Sequence, residues 1–167
     1  MNVFVDTSIV NNFLDLEEHR AYDSNWQENV KYLKQILKGP VAVGSVTLYV
    51  NPSIKQQIDS TENEKRKAEL LAKFHEFRFT EFNLTIFPFQ FPAKFVSQEQ
   101  AVFIQQLCTE HPGLLKDEKI IADAGFDDNI DVLLTTDKNL AHQVGRIGKV
   151  KFLLPKELWE DLTRSNR

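Results

Sequence analysis

Hydrophobic and polar positions in this chain follow two periods, one suited to strands and one to helices. Residues 2 to 5, "NVFV", form an apolar, β-branched-rich run that stops at Asp6. The "TSIVNNFLDL" that follows reads as a helix entered through small polar residues. Trp26, Val30, Leu33 and Leu37 recur at helical spacing in "YDSNWQENVKYLKQILKGP", with Asp23 or Ser24 as N-cap and Gly39-Pro40 as the stop. Residues 40 to 50, "PVAVGSVTLYV", predict a second strand, and "NPSIKQQI" a helix with Asn51 as cap and Pro52 at its first position.

From Glu62 to about Phe79, charged sequence carrying Leu70, Leu71, Phe74 and Phe77 predicts a long amphipathic helix. "LTIFPFQF", residues 84 to 91, is an extended segment that Pro88 keeps out of a sheet centre unless the chain bends there. Ser97 and Gln100 form a capping-box signature ahead of "AVFIQQLCTE", which His111-Pro112-Gly113 should end. Asp117 opens a short helix over "EKIIADAGF", "DVLLTT" is a buried strand, and "VKFLL" at 150 to 154 is a last strand before a "PKELWEDL" helix. Strands alternating with helices, without repeats or low-complexity linkers, predict an α/β fold. The expected form is a three-layer α/β/α sandwich with a central, mainly parallel sheet and right-handed crossovers. One domain should cover residues 1–167, with a Phe-rich helical and extended insertion at about 60–100.

Composition narrows this picture only a little. At 167 residues, 42% hydrophobic and 26% charged, the chain can bury one ordinary core without staples. The lone Cys108 cannot form an internal disulfide, and His19, His75, His111 and His142 have no zinc spacing, which suits a reducing cytoplasm. No run approaches the ~18 apolar residues of a membrane span, and "MNVFVDTSIV" has no basic head before a long apolar stretch, so neither membrane insertion nor export is expected. A net charge of −4 means that nucleic acid would have to be met by a local basic patch or by metal ions.

The acids are where chemistry enters. Asp117, Glu118, Asp123, Asp127, Asp128, Asp131 and Asp137 are interleaved with core-forming runs. Open parallel sheets bind ligands beyond the carboxyl ends of their strands. Asp6 follows the first strand, Asp137 follows "DVLLTT", and Asp117 opens a helix, so all three belong to that edge. At ~3.6 residues per turn, Asp117, Ile121 and Ala124 fall within about 40° of one another, which projects Asp117 from the end of a buried face. Clustered carboxylates repel unless they are protonated or neutralised. Mg²⁺ or Mn²⁺ removes the conflict, and such a site can activate water against a phosphodiester. Any one of these acids could be a plain helix N-cap; three at one edge favour the metal. Asp123 lies ~9 Å of helix rise below Asp117 and is a weaker ligand candidate. Asp127, Asp128 and Asp131 read as a solvated loop with Asn129, and Glu118 as exposed or adjacent to the ligands.

With "NVFVDTSIV", "DEKIIADAGF" and "VLLTTDKNL" in this order, the chain resembles the PIN-domain family of metal-dependent nucleases, which includes toxin ribonucleases. Asp6, Asp117 and Asp137 match the first, third and fourth acids of that family. The resemblance implies a PIN-like fold and hydrolysis of RNA at a Mg²⁺ or Mn²⁺ held by these three as catalytic residues. It also implies hydroxyl neighbours at Thr7, Ser8 and Thr136, and ligand-orienting roles for Asn11, Gln57 and Thr136. RNA, an antitoxin-like protein and a second copy of the chain are the partners considered. The second acid is missing: one register puts Gln57 there and another Val50, and neither carries charge. The rival expectation is therefore a weakened or inactive PIN-like module that binds RNA or protein. A haloacid-dehalogenase-like phosphatase would need a second Asp where Ser8 stands, and a dinucleotide binder a Gly-rich first turn.

Of the chain's 13 phenylalanines, Phe74, Phe77, Phe79, Phe82, Phe87, Phe89, Phe91 and Phe95 lie in one stretch. Packing of the insertion onto the core outweighs a base-stacking or oligomerising surface as their role. Lys65, Arg66, Lys67, Lys73 and Arg78 could follow phosphates, but interleaved glutamates favour a solvated helix face. Lys138, Arg146 and Lys149 are the better candidates for substrate contact, being nearer the acids in sequence.

Overall fold

The computed structural model describes residues 1–17, 24–50, 52–76, 80–81 and 97–164. Among these residues the chain forms an α/β fold around a six-stranded sheet of order β3-β2-β1-β4-β6-β5. Its strands are β1 (Asn2–Val5), β2 (Thr47–Val50), β3 (Thr80–Glu81), β4 (Val132–Leu134), β5 (Arg146–Ile147) and β6 (Val150–Leu153). All neighbours pair in parallel except β5 with β6, so the sheet is mostly parallel, as predicted. β1 can sit centrally because Val3, Phe4 and Val5 are all buried, the signature of a strand covered on both faces. Its Val3 is in register with Leu48 on one side and Val132 on the other.

The helices are α1 (Thr7–Glu17), α2 (Ser24–Ile36), α3 (Pro52–Asp59), α4 (Glu64–Glu76), α5 (Gln98–Glu110), α6 (Glu118–Gly125) and α7 (Pro155–Arg164). They pack in two sets: α1 with α2, α3 and α4, and α2 with α7; separately, α5 with α6. The strand order accounts for the division. β1 to β2 to β3 steps in one direction and β3 to β4 to β6 in the other, so right-handed crossovers send the intervening helices to opposite faces. The arrangement is compatible with three layers. The core runs through both faces, with Ile9, Val10, Ile54 and Ile58 from the first set and Ile120, Ile121 and Ala124 of α6 from the second.

Several element boundaries differ from expectation. The strand anticipated over 40–50 begins only at Thr47. Leu37–Val41 instead form a π-helical turn containing Pro40, whose carbonyl accepts the N–H groups of Ser45 and Val46 and folds the backbone back on itself. Pro112-Gly113 does end α5 but also starts a 3₁₀ turn, Pro112–Asp117, that runs directly into α6. The β5–β6 hairpin was not anticipated from "GRIGKV"; its tight turn places Gly148 at φ 55°, in the left-handed region that glycine tolerates best. Ser97 builds the predicted capping box, with reciprocal bonds to Gln100. The 84–91 segment, the Asp23 and Asn51 caps, Arg78 and the phenylalanines from Phe77 to Phe95 lie outside the described residues. Among the described residues, no helix is long and apolar enough to cross a membrane.

Candidate active site

β1 is the switch point of the sheet: the chain leaves it toward β2 on one side, and β4 lies on the other. At such a point adjacent crossovers diverge and open a crevice beyond the carboxyl ends of the strands. Asp6 is the first residue past β1, and its backbone N–H still pairs with the Leu134 carbonyl of β4 at 3.0 Å. Its side chain is buried and held from three directions. Thr7 N–H donates to Oδ1 at 2.6 Å, while the hydroxyls of Ser8 and Thr135 donate to Oδ2 at 2.9 and 2.8 Å. Burial pushes the Asp6 carboxyl above its ordinary pKa, against the opposing pull of these bonds.

Asp137 comes to the same edge through the turn after β4. Its Oδ1 accepts the N–H groups of Asn139 (2.8 Å) and Leu140 (3.3 Å), and its Oδ2 accepts from Lys116 Nζ at 2.9 Å. Burial acts to raise its pKa, but the Lys116 bond and the two N–H groups prevail and hold it below the usual carboxylate range. Asp137 and Asp6 both act as caps for the segments that follow them, so the structural explanation is met for these two.

It is not met for Asp117. The residue occupies the N-cap position of α6 with no side-chain capping bond. Its Oδ2 is buried with no hydrogen-bond partner among the described residues, and the Lys116 ammonium stands 3.9 Å away. Burial raises the Asp117 pKa to about 6; Lys116 opposes the shift, and the charges of Asp6 and Asp137 add to it. The three acids are therefore near enough to act on one another, and one of them carries an unmet acceptor.

The surrounding residues divide more unevenly. Thr7 Oγ1 donates a hydrogen bond to Gln57 Oε1, which puts Gln57 beside the start of α1, next to Asp6. Val50, the other register, is fully buried in the core. Asn11 donates to the Thr7 carbonyl and accepts from Arg66 Nη2 at 3.3 Å. Thr136 contributes a backbone N–H to Ser8 Oγ, whereas the hydroxyl that reaches Asp6 is that of Thr135, which also accepts the Asp137 N–H. Lys119 Nζ bonds Gln56 Oε1 at 2.7 Å and ties α6 to α3 at the rim. Lys138 is exposed next to Asp137. Lys149 is elsewhere: it pairs with Asp131, just before β4, and Arg146 is registered opposite Lys151, itself opposite the first residue of β4.

Asp127 departs from the expected solvated loop. It is buried, because its Oδ1 closes a turn by accepting both the backbone N–H and the side-chain amide of Asn129. Lys116 and Thr135 were missed in the sequence. The available signals were the Lys-Asp pair at the start of "KDEKII" and the doubling of Thr after "VLL", where only the first threonine keeps the inward direction.

Among the described residues, no group of three or more His, Cys, Asp or Glu is arranged to hold a metal ion. The donor chemistry nonetheless fits a hard divalent cation: carboxylate oxygens, one of them buried without a partner, with a lysine ammonium already standing between Asp117 and Asp137. Comparison with protein-family models and with curated proteins finds no match to the chain.

Proposed function

We propose that this chain is a PIN-type ribonuclease in which Asp6, Asp117 and Asp137 hold Mg²⁺ or Mn²⁺ at the carboxyl edge of the sheet. The observation that carries the reading is the buried, unpartnered Asp117 Oδ2, whose carboxyl is pushed up to about 6 by burial and then by Asp6 and Asp137. Burying such a group without a partner costs stability, and a functional ligand explains why it is kept. A bound divalent cation would polarise the phosphodiester and acidify a water for attack on phosphorus.

The chain's own residues would do the rest. Thr135, Ser8 and the Thr7 N–H fix the Asp6 carboxylate, so that it meets a ligand in one orientation. Gln57 and Asn11 steady the first residue of α1, Thr7, through its hydroxyl and its carbonyl respectively. Lys119 on the rim and Arg66 beside Asn11 offer positive charge to RNA phosphates close to the acids.

Gln57 favours the second reading. It stands beside Asp6's loop and brings an amide where the family resemblance asks for an acid, which would leave a PIN-like module that binds RNA or a protein without cutting. Cytoplasmic RNA, an antitoxin-like protein and a second copy of the chain are its proposed partners. Incubation of single-stranded and structured RNA with Mn²⁺ or Mg²⁺ separates the two. Wild-type cleavage should fall on the order of a hundredfold or more in Asp6→Asn and Asp117→Asn. Cleavage that survives both substitutions, or never occurs with metal supplied, rejects the nuclease.

A further inference from the structure

Lys116 lies at the end of the 3₁₀ turn, one residue before Asp117, and its side chain reaches across to Asp137. Its ammonium is 2.9 Å from Asp137 Oδ2 and 3.9 Å from Asp117 Oδ2. Lys116 therefore reaches one carboxylate oxygen of each acid. A small divalent cation would sit ~2.1 Å from any oxygen that ligates it. An ammonium already within hydrogen-bond distance of one of them leaves no room for both, and two positive centres that close repel strongly.

The rest of the site makes this balance matter. Gln57 contributes no negative charge beside Thr7, so the charges acting on Asp117 are those of Asp6 and Asp137, with Lys116 set against them. The lysine is not locked in place: its side chain is 67% exposed, and no hydrogen bond besides that to Asp137 holds the ammonium among the described contacts. A four-carbon stem allows it to swing into solvent without disturbing the turn.

Resting on the metal-site reading above, we infer that Lys116 is an internal counterion that competes with the divalent cation for Asp117 and Asp137 and must swing out before the site loads. It neutralises the acids in the unloaded protein and raises the cation concentration needed for occupancy. Loading then becomes an exchange of one cation for another, and the site responds to the divalent-ion level rather than staying filled.

Calorimetric titration of the full chain with Mn²⁺ tests this without reference to cleavage. Lys116→Gln removes the charge at an exposed position and should keep the fold, as a single cooperative unfolding transition and an unchanged circular dichroism spectrum without metal would verify. The Mn²⁺ dissociation constant should tighten about two- to fivefold in Lys116→Gln, the scale of one exposed ion pair, and stay near wild type in Lys116→Arg, which keeps the competing charge. Wild-type binding with an unchanged or weakened constant in Lys116→Gln overturns the inference and leaves the metal site standing. Failure of all three proteins to bind Mn²⁺ overturns both. The expected pattern without any RNA cleavage supports the counterion and rejects the nuclease.

Discussion

Among the described acids, Asp117 differs because it buries a carboxylate oxygen that no hydrogen bond satisfies. Its carboxyl titrates near 6 in the folded chain against 3.8 for an ordinary aspartate. The folded state therefore holds that proton more tightly than the unfolded state, and stability falls as pH rises from about 4 to about 6. Asp6, also shifted upward, acts in the same direction. In metal-free protein, Asp117→Asn should consequently gain about 1–2 kcal/mol over wild type at pH 7.5, and the gain should vanish toward pH 4. Urea unfolding at both pH values checks this; a variant less stable than wild type at pH 7.5 would mean that the attraction of Lys116 outweighs burial. Thr135 is the opposite case, a fully buried hydroxyl that donates to Asp6 and accepts from the Asp137 N–H. Thr135→Val keeps the shape but strands the Asp137 N–H and removes one of the two hydroxyls on Asp6 Oδ2, so a loss of about 1–3 kcal/mol is expected in the same unfolding assay.

At the scale of elements, local chemistry was legible wherever a segment decides its own conformation. Ser97 and Gln100 announce the start of α5, and both bonds of the box form, at 3.2 and 2.9 Å. Ser97→Ala should lower stability by about 1 kcal/mol, and Ser97→Asp, which keeps an acceptor for the Gln100 N–H, should lose less; thermal unfolding of the pair distinguishes loss of the cap from loss of packing. Elements settled by tertiary context were not legible. The apolar "VAV" before β2 looks like strand, yet Val43 is 77% exposed in a turn organised by the Pro40 carbonyl. "GRIGKV" has too few apolar positions to signal the β5–β6 hairpin, which exists because β6 supplies an edge to pair with. The site was read by the same rule: Asp6, Asp117 and Asp137 follow from strand ends and a helix start, whereas the reach of Lys116 to Asp137, 21 residues away in sequence, does not.

The whole molecule sets its two sheet edges to different tasks. Beyond the amino ends of the strands, Asp131 is fully engaged: the Asn2 N–H, at 2.8 Å, and Lys149 hold its pKa down despite partial burial. Beyond the carboxyl ends, Asp6 and Asp117 are held up by burial, and only Asp137 is pulled down. The crossovers that place β1 beside β4 are what bring residue 6 to residues 117 and 137, so the acids meet only in the folded chain. A cation bound there should stabilise the native state alone, by about 2.7 kcal/mol at a hundred times its dissociation constant. For a chain of 167 residues that corresponds to roughly 5–10 °C in the unfolding midpoint. The midpoint should climb with the logarithm of Mn²⁺ concentration in wild type and stay flat in Asp6→Asn and Asp117→Asn, whose substitutions fall after β1 and before α6. A climb that persists in both variants would locate cation binding elsewhere on the acidic surface, and a climb lost in only one would remove the other residue from the ligand set.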